Sequence, residues 1–335
     1  MSKTSPNMTE QSTGTRETRR FVWLLDPRLV TTAVGSLVVI VLAGLVQVSF
    51  GAYTMSIGQA WAAVFNPDVL FNQQAWNAFL LGGELPEMKT RSLIVWSIRL
   101  PRVLVGAIVG MNLAVSGAIF QAITRNELAS PFILGVSSGA GLMILLVLVV
   151  FGGLTAFLPI IAAVGGAVAF LIVYAIAWKN GTSPVRLVLA GVIVGTVFGS
   201  VQTGLFFFAE DISVVQSAIA WTTGSLTGTD WEQVRLALPW SLVAIGLAIA
   251  GARQCNVMLL GEQTAKSLGM SIEKVRFALA GVAVLAAAAS IAVAGIVGFV
   301  GLIVPHMVRN LVGSDYKKVI VGCLFVGPAL MVGAD

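Results

Sequence analysis

The residues of this chain most able to do chemistry are gathered in one polar stretch, Gly261–Met270, which lies between two long apolar runs. Glu262 stands where an acidic side chain favours the start of a helix, and Lys266 follows at the spacing of an i, i+4 ion pair. Gly269 is placed to end the helix. Because a helix this short is marginal alone in water, we expect a surface outside the bilayer to hold it, either lipid headgroups or a partner protein.

Other sequence patterns that would support catalysis or pumping are missing. No phosphate-binding G-x-x-x-x-G-K-[ST] loop occurs, and the apolar runs hold no carboxylate that could couple an ion gradient. The only histidine, His306, follows Pro305 and is typical of a helix end, while Cys255 and Cys323 have no metal-binding or disulfide spacing. We expect no catalytic residue, no metal site and no cofactor. Energy for uphill transport would enter through another subunit, and a metal would travel inside a chelate.

The elements that must position the polar stretch are membrane-spanning helices. The chain is 57% hydrophobic and 10% charged, with a mean hydropathy of +0.93, whereas soluble domains carry about 25% charged residues. Most of its uncharged runs reach the roughly 20 residues that cross a bilayer. The runs are Leu29–Phe50, Val103–Thr124, Leu128–Trp178, Leu187–Ala209, Leu236–Ala252, Phe277–Val308 and Val319–Ala334. Since glycines divide the third and the sixth run, we predict an all-α polytopic membrane helix bundle with nine crossings.

The distribution of basic residues predicts the orientation of the chain. Residues 1–28 end in a basic cluster and lack the pattern of a signal peptide, so we interpret them as a cytoplasmic tail. Nine crossings then place fifteen of the 20 lysines and arginines inside, as the positive-inside rule requires. Residues 29–335 form the transmembrane domain, with a long external loop at 51–98 and a cytoplasmic region at 253–274. The net charge of +5 thus reflects topology and not nucleic-acid binding.

Glycines recur within the apolar runs at the spacing that lets helices approach closely in lipid. They are Gly106 and Gly110, then Gly135, Gly139 and Gly141, then Gly191, Gly195 and Gly199. We predict tight helix packing at these positions. The stretch 135–141 also opens a helix just after Pro131, where it could present serine and backbone groups to a cavity.

Two arginines, Arg99 and Arg102, flank the outer end of the second predicted span, where Pro101 is tolerated because the helix is beginning. We expect both side chains to project outward. Arginines near helix ends commonly snorkel to the membrane interface. The alternative is a docking site for acidic side chains of an external partner.

Together with the turn that follows the second span, this motif resembles a known family. The segment from Arg99 to Gly141 reads RLPRVLVGAIVGMNLAVSGAIFQAITRNELASPFILGVSSGAG, and it is similar to the signature of the FecCD-type permeases of iron-siderophore and vitamin B12 ABC importers. The resemblance continues through RLVLAGVIVGTVFGS, WTTGSLTGTDW, LLGEQTAKSLGM and GFVGLIVPHMVRNLVG. It covers nearly everything from Arg99 to Asp335.

The resemblance implies an assembly. Such permeases have about ten helices per subunit and form a homodimer, or pair with a paralogous permease, in the prokaryotic plasma (inner) membrane. Two cytoplasmic ATPase subunits bind ATP and Mg, so the permease itself is not an enzyme. A substrate-binding protein visits the outer face, and membrane lipid surrounds the helices.

The resemblance also implies roles for single residues. The ATPase-coupling helix would comprise Gly261, Glu262, Ala265, Lys266, Leu268 and Gly269. Docking of the binding protein would use Arg99 and Arg102, and the two cytoplasmic gates would use Asn126 with Leu128 and Thr182 with Ser183.

Two departures from the family pattern stand out. The usual Asn-Pro-Leu-Ala-Asp-Pro reads Asn126-Glu-Leu-Ala-Ser-Pro131, so Glu127 replaces a proline beside the first gate. The sequence stops at Asp335, where the family continues into a further helix, so we expect nine of about ten helices here.

We interpret the protein as a permease that passes an intact iron-siderophore chelate inward by alternating access, driven by a partner ATPase. Cobalamin and haem are alternative cargoes that the sequence does not separate from siderophores. An ion-driven secondary carrier is the alternative from another class, which the uncharged spans disfavour.

Overall fold

The computed structural model describes residues 22–51, 53–209 and 211–335, which form helices joined by turns, without a β-strand in these ranges. The first half begins with a 3-10 turn and leads through short helices into a long one. These elements are the 3-10 turn Val22–Leu25, α1 (Pro27–Ser49), α2 (Ile57–Val64), α3 (Pro67–Leu70), α4 (Gln73–Leu81), α5 (Thr90–Ile94) and α6 (Leu100–Thr124). A π-helical turn, Val95–Arg99, joins α5 to α6 without a break.

The second half contains the remaining helices. They are α7 (Val136–Leu145), α8 (Leu158–Ala177), α9 (Pro184–Phe206), α10 (Ile212–Thr223), α11 (Trp231–Leu259), α12 (Glu262–Ser267), α13 (Ile272–Ala294), α14 (Val300–Val312) and α15 (Tyr316–Ala334). A π-helical turn, Leu146–Val150, extends α7, and a 3-10 helix, Gly152–Phe157, precedes α8.

The predicted crossings correspond to these apolar helices. Seven helical segments of the described chain are long and apolar enough to span a membrane, and two shorter ones, Val136–Val150 and Val300–Val312, complete the predicted order. The long runs divide where glycines predicted, at Gly152 and between α13 and α14. The chain is therefore a multi-pass membrane protein. The sequence did not predict α10, which lies between two of the long helices.

Local sequence explains where the long helices begin. The side chains of Asp26, Ser183 and Asp230 accept backbone hydrogen bonds in the first turns of α1, α9 and α11. Pro27 and Pro184 stand in the first turn, where proline costs no intrahelical hydrogen bond. These caps and prolines fix the residues at which α1, α9 and α11 begin.

The core of the bundle lies around α6. In its most apolar stretch 83% of the residues are buried, against 11% for α1 at the periphery. Glycines bring its neighbours very close: a Cβ at Gly110 would lie 2.4 Å from the carbonyl oxygen of Gly327 on α15, and one at Gly117 would lie 1.7 Å from that of Gly301 on α14. The predicted packing role is confirmed at Gly110, but not at Gly199, which faces open space.

Helix connections gather at two ends of the bundle. The first, which we call the α12 end, contains the turn 125–135, the loop 178–183, α12 and residues 313–315. There Asn256 on α11 donates to Asp315 at 2.6 Å and accepts from the amide of Tyr316 at 2.8 Å. These bonds tie the last turns of α11 to the start of α15.

The opposite end carries the segment that the sequence analysis assigned to a long external loop, 51–98, and its described residues contain α2, α3, α4 and α5. Its aromatic residues pack on the start of α11. Phe79 stacks on Trp231 at 4.8 Å and on Trp96 at 5.6 Å between ring centroids. Trp231 Nε1 donates to the Trp96 carbonyl at 2.6 Å, and Trp76 completes this aromatic cluster edge-on.

Candidate functional site

The polar stretch folds as the predicted helix α12. Gly261, with φ of +98°, leads the chain out of α11, and Gly269, with φ of +79°, follows the last turn. Both φ values favour glycine. Ala265 is fully buried, whereas Lys266 is exposed and Leu268 is 63% exposed. Ala265 and Leu268 therefore lie in different surroundings, because the helix ends at Ser267.

Glu262 pairs with an arginine that sequence reasoning missed. Its Oε1 accepts a hydrogen bond of 2.6 Å from Nη2 of Arg276 on α13, whose side chain is 1% exposed. Within the described residues Glu262 pairs with Arg276 and not with Lys266, so the predicted i, i+4 pair is wrong. One signal could have found Arg276, since it is a charged residue placed directly before the apolar run that begins at Phe277.

The loop before α9 is bound to the same arginine. Nη1 of Arg276 donates to the carbonyl oxygen of Thr182 at 2.7 Å, to its Oγ1 at 2.8 Å and to Glu273 at 3.1 Å. Glu273 in turn accepts from the amide of Thr182 at 3.0 Å and from its hydroxyl at 2.7 Å. We call these four residues, Thr182, Glu262, Glu273 and Arg276, the Arg276 junction.

Ser183, predicted to act with Thr182, makes a different contact. Its Oγ caps α9 by accepting from the amide of Arg186 at 3.3 Å. The guanidinium of Arg186 then reaches back to the carbonyl oxygens of Gly181 at 2.9 Å and Lys179 at 3.2 Å. The structure therefore binds Thr182 to α13 and leaves Ser183 with the start of α9.

The turn that follows α6 borders the start of α12. Arg125 ends α6 with φ of +50°, and it lines a narrow crevice with Glu262 and Arg276. Asn126 Oδ1 accepts from the amide of Leu128 at 2.9 Å, and Leu128 is 67% exposed. The residues of the first predicted gate thus shape a turn beside α12.

Glu127 joins this turn to α14. Its carboxylate lies 3.4 Å from Nδ1 of His306 and 3.5 Å from Nε of Arg309. Arg309 also donates to Gln121 at 2.7 Å. Glu127 is 65% exposed, so this pairing contributes little to stability.

The two arginines at the opposite end differ from each other. Arg99 is only 7% exposed and donates to the carbonyl oxygens of Val48 at 2.6 Å and Tyr53 at 2.5 Å. The expectation that it projects outward is wrong. Arg102 is 36% exposed and makes two bonds of 2.7 Å to the carboxylate of Asp335. Docking by either arginine stays a prediction.

The chemistry of the Arg276 junction is that of a connector. Its members bind one another, Nε of Arg276 is buried without a partner, and the described residues contain no group of three His, Cys, Asp or Glu suited to a metal ion. One buried charge joins α12, α13 and the loop 178–183. The junction can therefore hold these three elements in a fixed relation.

Comparison with known proteins places this architecture. The model of the FecCD transport family matches residues 37–335. The Fe(3+)-citrate import system permease protein YfmD of Bacillus subtilis is 40% identical over 243 residues, which are 72% of each chain. The cobalamin import system permease protein BtuC of Halobacterium salinarum is 40% identical over 74% of this chain and 67% of its own length.

A solved structure supports the same conclusion for the fold. It is described as an inward-facing conformation of a metal-chelate type ABC transporter. The two chains superpose with a TM-score of 0.75 at 24% identity, over 90% of this chain and 87% of the other. With the family model matched over most of its length and relatives at 40% identity, this chain belongs to the FecCD transport family.

Proposed function

We propose that this chain is the membrane-spanning permease subunit of a binding-protein-dependent ABC importer, and that it passes an intact iron-siderophore chelate into the cytoplasm. The observation that carries the proposal is the attachment of α12. A polar helix too short to be stable alone is bound through buried Arg276 to the loop that leads into α9. A partner that pushes on α12 would therefore act on the transmembrane helices.

The partner at α12 would be a cytoplasmic ATPase. Lys266 on the helix and Leu268 and Gly269 directly after it are exposed, while Ala265 on the helix is buried. An exposed leucine beside a lysine suits a cleft in a protein better than open water. Two ATPase subunits would serve two permease subunits, and each permease would need the apolar surface of its outer helices covered by lipid or by the second permease.

The mechanism would be alternating access. ATPase closure would displace α12, and docking of a binding protein at the opposite end, at the more exposed Arg102, would favour one of two arrangements of the bundle. Each partner can shift this equilibrium only if it binds the two arrangements with different affinity. Asn126 and Leu128 belong to the turn whose Arg125 borders α12, and Thr182 is joined to α12 through Arg276, so gates at these residues would respond to the position of α12.

The cargo is an iron chelate by our proposal, and cobalamin is the second candidate because one relative that is 40% identical carries that name. Haem is a further alternative. An ion-driven carrier would need an ionisable group on its path. In the described part of the spans, Arg276 is the fully buried charge, and both of its terminal nitrogens are bound to protein at the α12 end.

Reconstitution tests the proposal. The permease, its co-purified ATPase and a substrate-binding protein would be placed in vesicles and supplied with ferric siderophore or cyanocobalamin. We expect uptake of the ferric chelate that requires ATP and continues after a protonophore dissipates the proton gradient. Uptake that stops with the gradient while ATP is present would instead support an ion-driven carrier, and preference for cyanocobalamin would support the second cargo.

A further inference from the structure

The guanidinium of Arg276 has two arms that serve two different elements. Nη2 binds Glu262, the first residue of α12. Nη1 binds the loop 178–183 through the carbonyl oxygen and the hydroxyl of Thr182. Nε has no partner, so the side chain is held through these two arms alone.

On the loop side of this connection, Thr182 is bound to α13 through three of its polar groups. The amide and the hydroxyl of Thr182 donate to Glu273. Its carbonyl oxygen and the same hydroxyl accept from Arg276. Thr182 is 4% exposed. The loop therefore cannot shift at this residue without breaking bonds to α13.

On the α12 side, the helix can move only a short distance before its bond to Arg276 breaks. The bond from Arg276 to Glu262 is 2.6 Å long, and hydrogen bonds are lost beyond about 3.5 Å, so α12 can move by only about 1 Å before the bond breaks or the guanidinium follows. The guanidinium is planar and rigid, so rotation that follows Glu262 also moves Nη1 away from Thr182. Breaking the contact to Glu262 removes one of the two carboxylates that pair with the buried guanidinium, and breaking the contact to Thr182 leaves buried polar groups unpaired. Both losses are unfavourable.

We propose that Arg276 is a positioning residue that transmits displacement of α12 to the loop 178–183, and so sets the Thr182 gate according to the state of the ATPase. The inference rests on the proposed function, since it needs a motor at α12. It adds a specific residue and two specific arms to that function. A purely structural role would instead make Arg276 matter for folding and not for the ratio of transport to hydrolysis.

The chain offers a matched control in Arg186. This arginine also binds the loop, through the carbonyl oxygens of Lys179 and Gly181, but from α9 and without contact to α12. Arg276→Lys and Arg186→Lys each replace a forked guanidinium that binds the loop 178–183 by a single ammonium. Only the first interrupts the connection to α12.

The test measures substrate molecules transported per ATP hydrolysed in reconstituted vesicles. We expect Arg276→Lys to lower this ratio by about fivefold or more, in the range of typical allosteric couplings, with the ATPase still bound. Arg186→Lys should keep the parental ratio. Thr182→Val, which removes the hydroxyl and keeps the backbone, should change the ratio in the same direction by less, and it serves if Arg276→Lys does not assemble.

A spectroscopic measurement separates transmission from folding. Spin labels at Lys179→Cys and Ser314→Cys report the distance between the loop 178–183 and the start of α15, and the two native cysteines are buried. In the parent we expect this distance to change when ATP binds. In the Arg276→Lys background the change should disappear while ATP hydrolysis continues.

The outcomes are distinct. Parental transport per ATP and a parental distance change in Arg276→Lys overturn the inference and leave the proposed function standing. Equal losses in Arg276→Lys and Arg186→Lys also overturn it, because they show that the loop needs any anchor and not the connection to α12. Absence of ATP-dependent uptake in the parent protein removes the proposed function and this inference with it.

Discussion

The two ends of the bundle are held by different forces. At the α12 end, the Arg276 junction joins three elements through directional, charge-assisted bonds. At the opposite end, the aromatic cluster packs the segment 51–98 onto α11 through stacked rings. Directional bonds are made or lost within about 1 Å, whereas ring packing tolerates small shifts. By our proposal, the α12 end is the one that changes during transport, and the opposite end persists.

The first prediction concerns the aromatic cluster at the persistent end. Phe79→Ala should lower the free energy of unfolding by about 3–5 kcal/mol, because a buried ring that stacks on two tryptophans is lost. Thermal unfolding of the parent and the variant in detergent measures this loss of stability. Transport per ATP in the surviving folded protein should stay at the parental value.

The control for this variant lies in the same segment. Phe71 is 87% exposed, so Phe71→Ala should change the unfolding free energy by less than about 0.5 kcal/mol. A Phe79→Ala protein with parental stability would contradict the anchoring role of the aromatic cluster.

The second prediction concerns the helix α12 at the changing end. Ala265→Pro removes the hydrogen bond of 3.0 Å from the amide of residue 265 to the carbonyl oxygen of Gly261. The helix should lose about 3 kcal/mol, so α12 should unfold and the ATPase should dissociate or hydrolyse ATP without transport. Ala265→Gly keeps the amide and should cost only about 1 kcal/mol. Full coupling in the proline variant would exclude α12 as the contact.

The third prediction sharpens the comparison within one motif. Arg99→Ala should lower the unfolding free energy by about 1–3 kcal/mol, because the carbonyl oxygens of Val48 and Tyr53 lose a buried donor. Arg102→Ala should cost less than about 1 kcal/mol, since its pair is partly exposed, but it should weaken binding of the substrate-binding protein. Equal stability of both variants would contradict the buried role of Arg99.

The smallest expected effect lies at the start of α1. The hydrogen bond from Lys318 lowers the pKa of Asp26 from its ordinary value. A lowered carboxyl pKa stabilises the fold above the unfolded-state value of about 3.9, and the contribution is lost as the pH falls through the folded pKa. The difference in melting temperature between the parent and Asp26→Asn should therefore be small at neutral pH and vanish in acid. A difference that grows in acid would contradict the pairing.

The sequence predicted the features that depend on neighbouring residues. The apolar runs located the spans, glycines located the breaks at Gly152 and after Ala294, and the polar stretch predicted α12 with its end at Gly269. Each of these is a local pattern of composition or backbone preference. Such patterns can be read along the chain without knowledge of contacts.

Features that depend on distant contacts were not predictable. Glu262 pairs with Arg276 across the connection between α12 and α13, and Thr182 binds Arg276 from 94 residues away. Arg99 is buried where a π-helical turn, Val95–Arg99, interrupts the regular helical spacing. Such a turn shifts every side chain that follows it around the helix axis. No residue type between Val95 and Arg102 predicts the turn.

The glycine contacts of α6 have a consequence for genetics. At Gly117 a single added methyl group would overlap the backbone of α14, and at Gly110 it would overlap that of α15. The nearest atoms belong to the backbone, except for the Cβ of Met331 beside Gly110, which cannot rotate away, so even alanine is too large at these positions. In a saturation mutagenesis library, these positions should be as intolerant as any that touch cargo, although they hold no reactive group. Intolerance along α6 therefore measures the distance between two backbones, and it should not be taken as a map of the transport path.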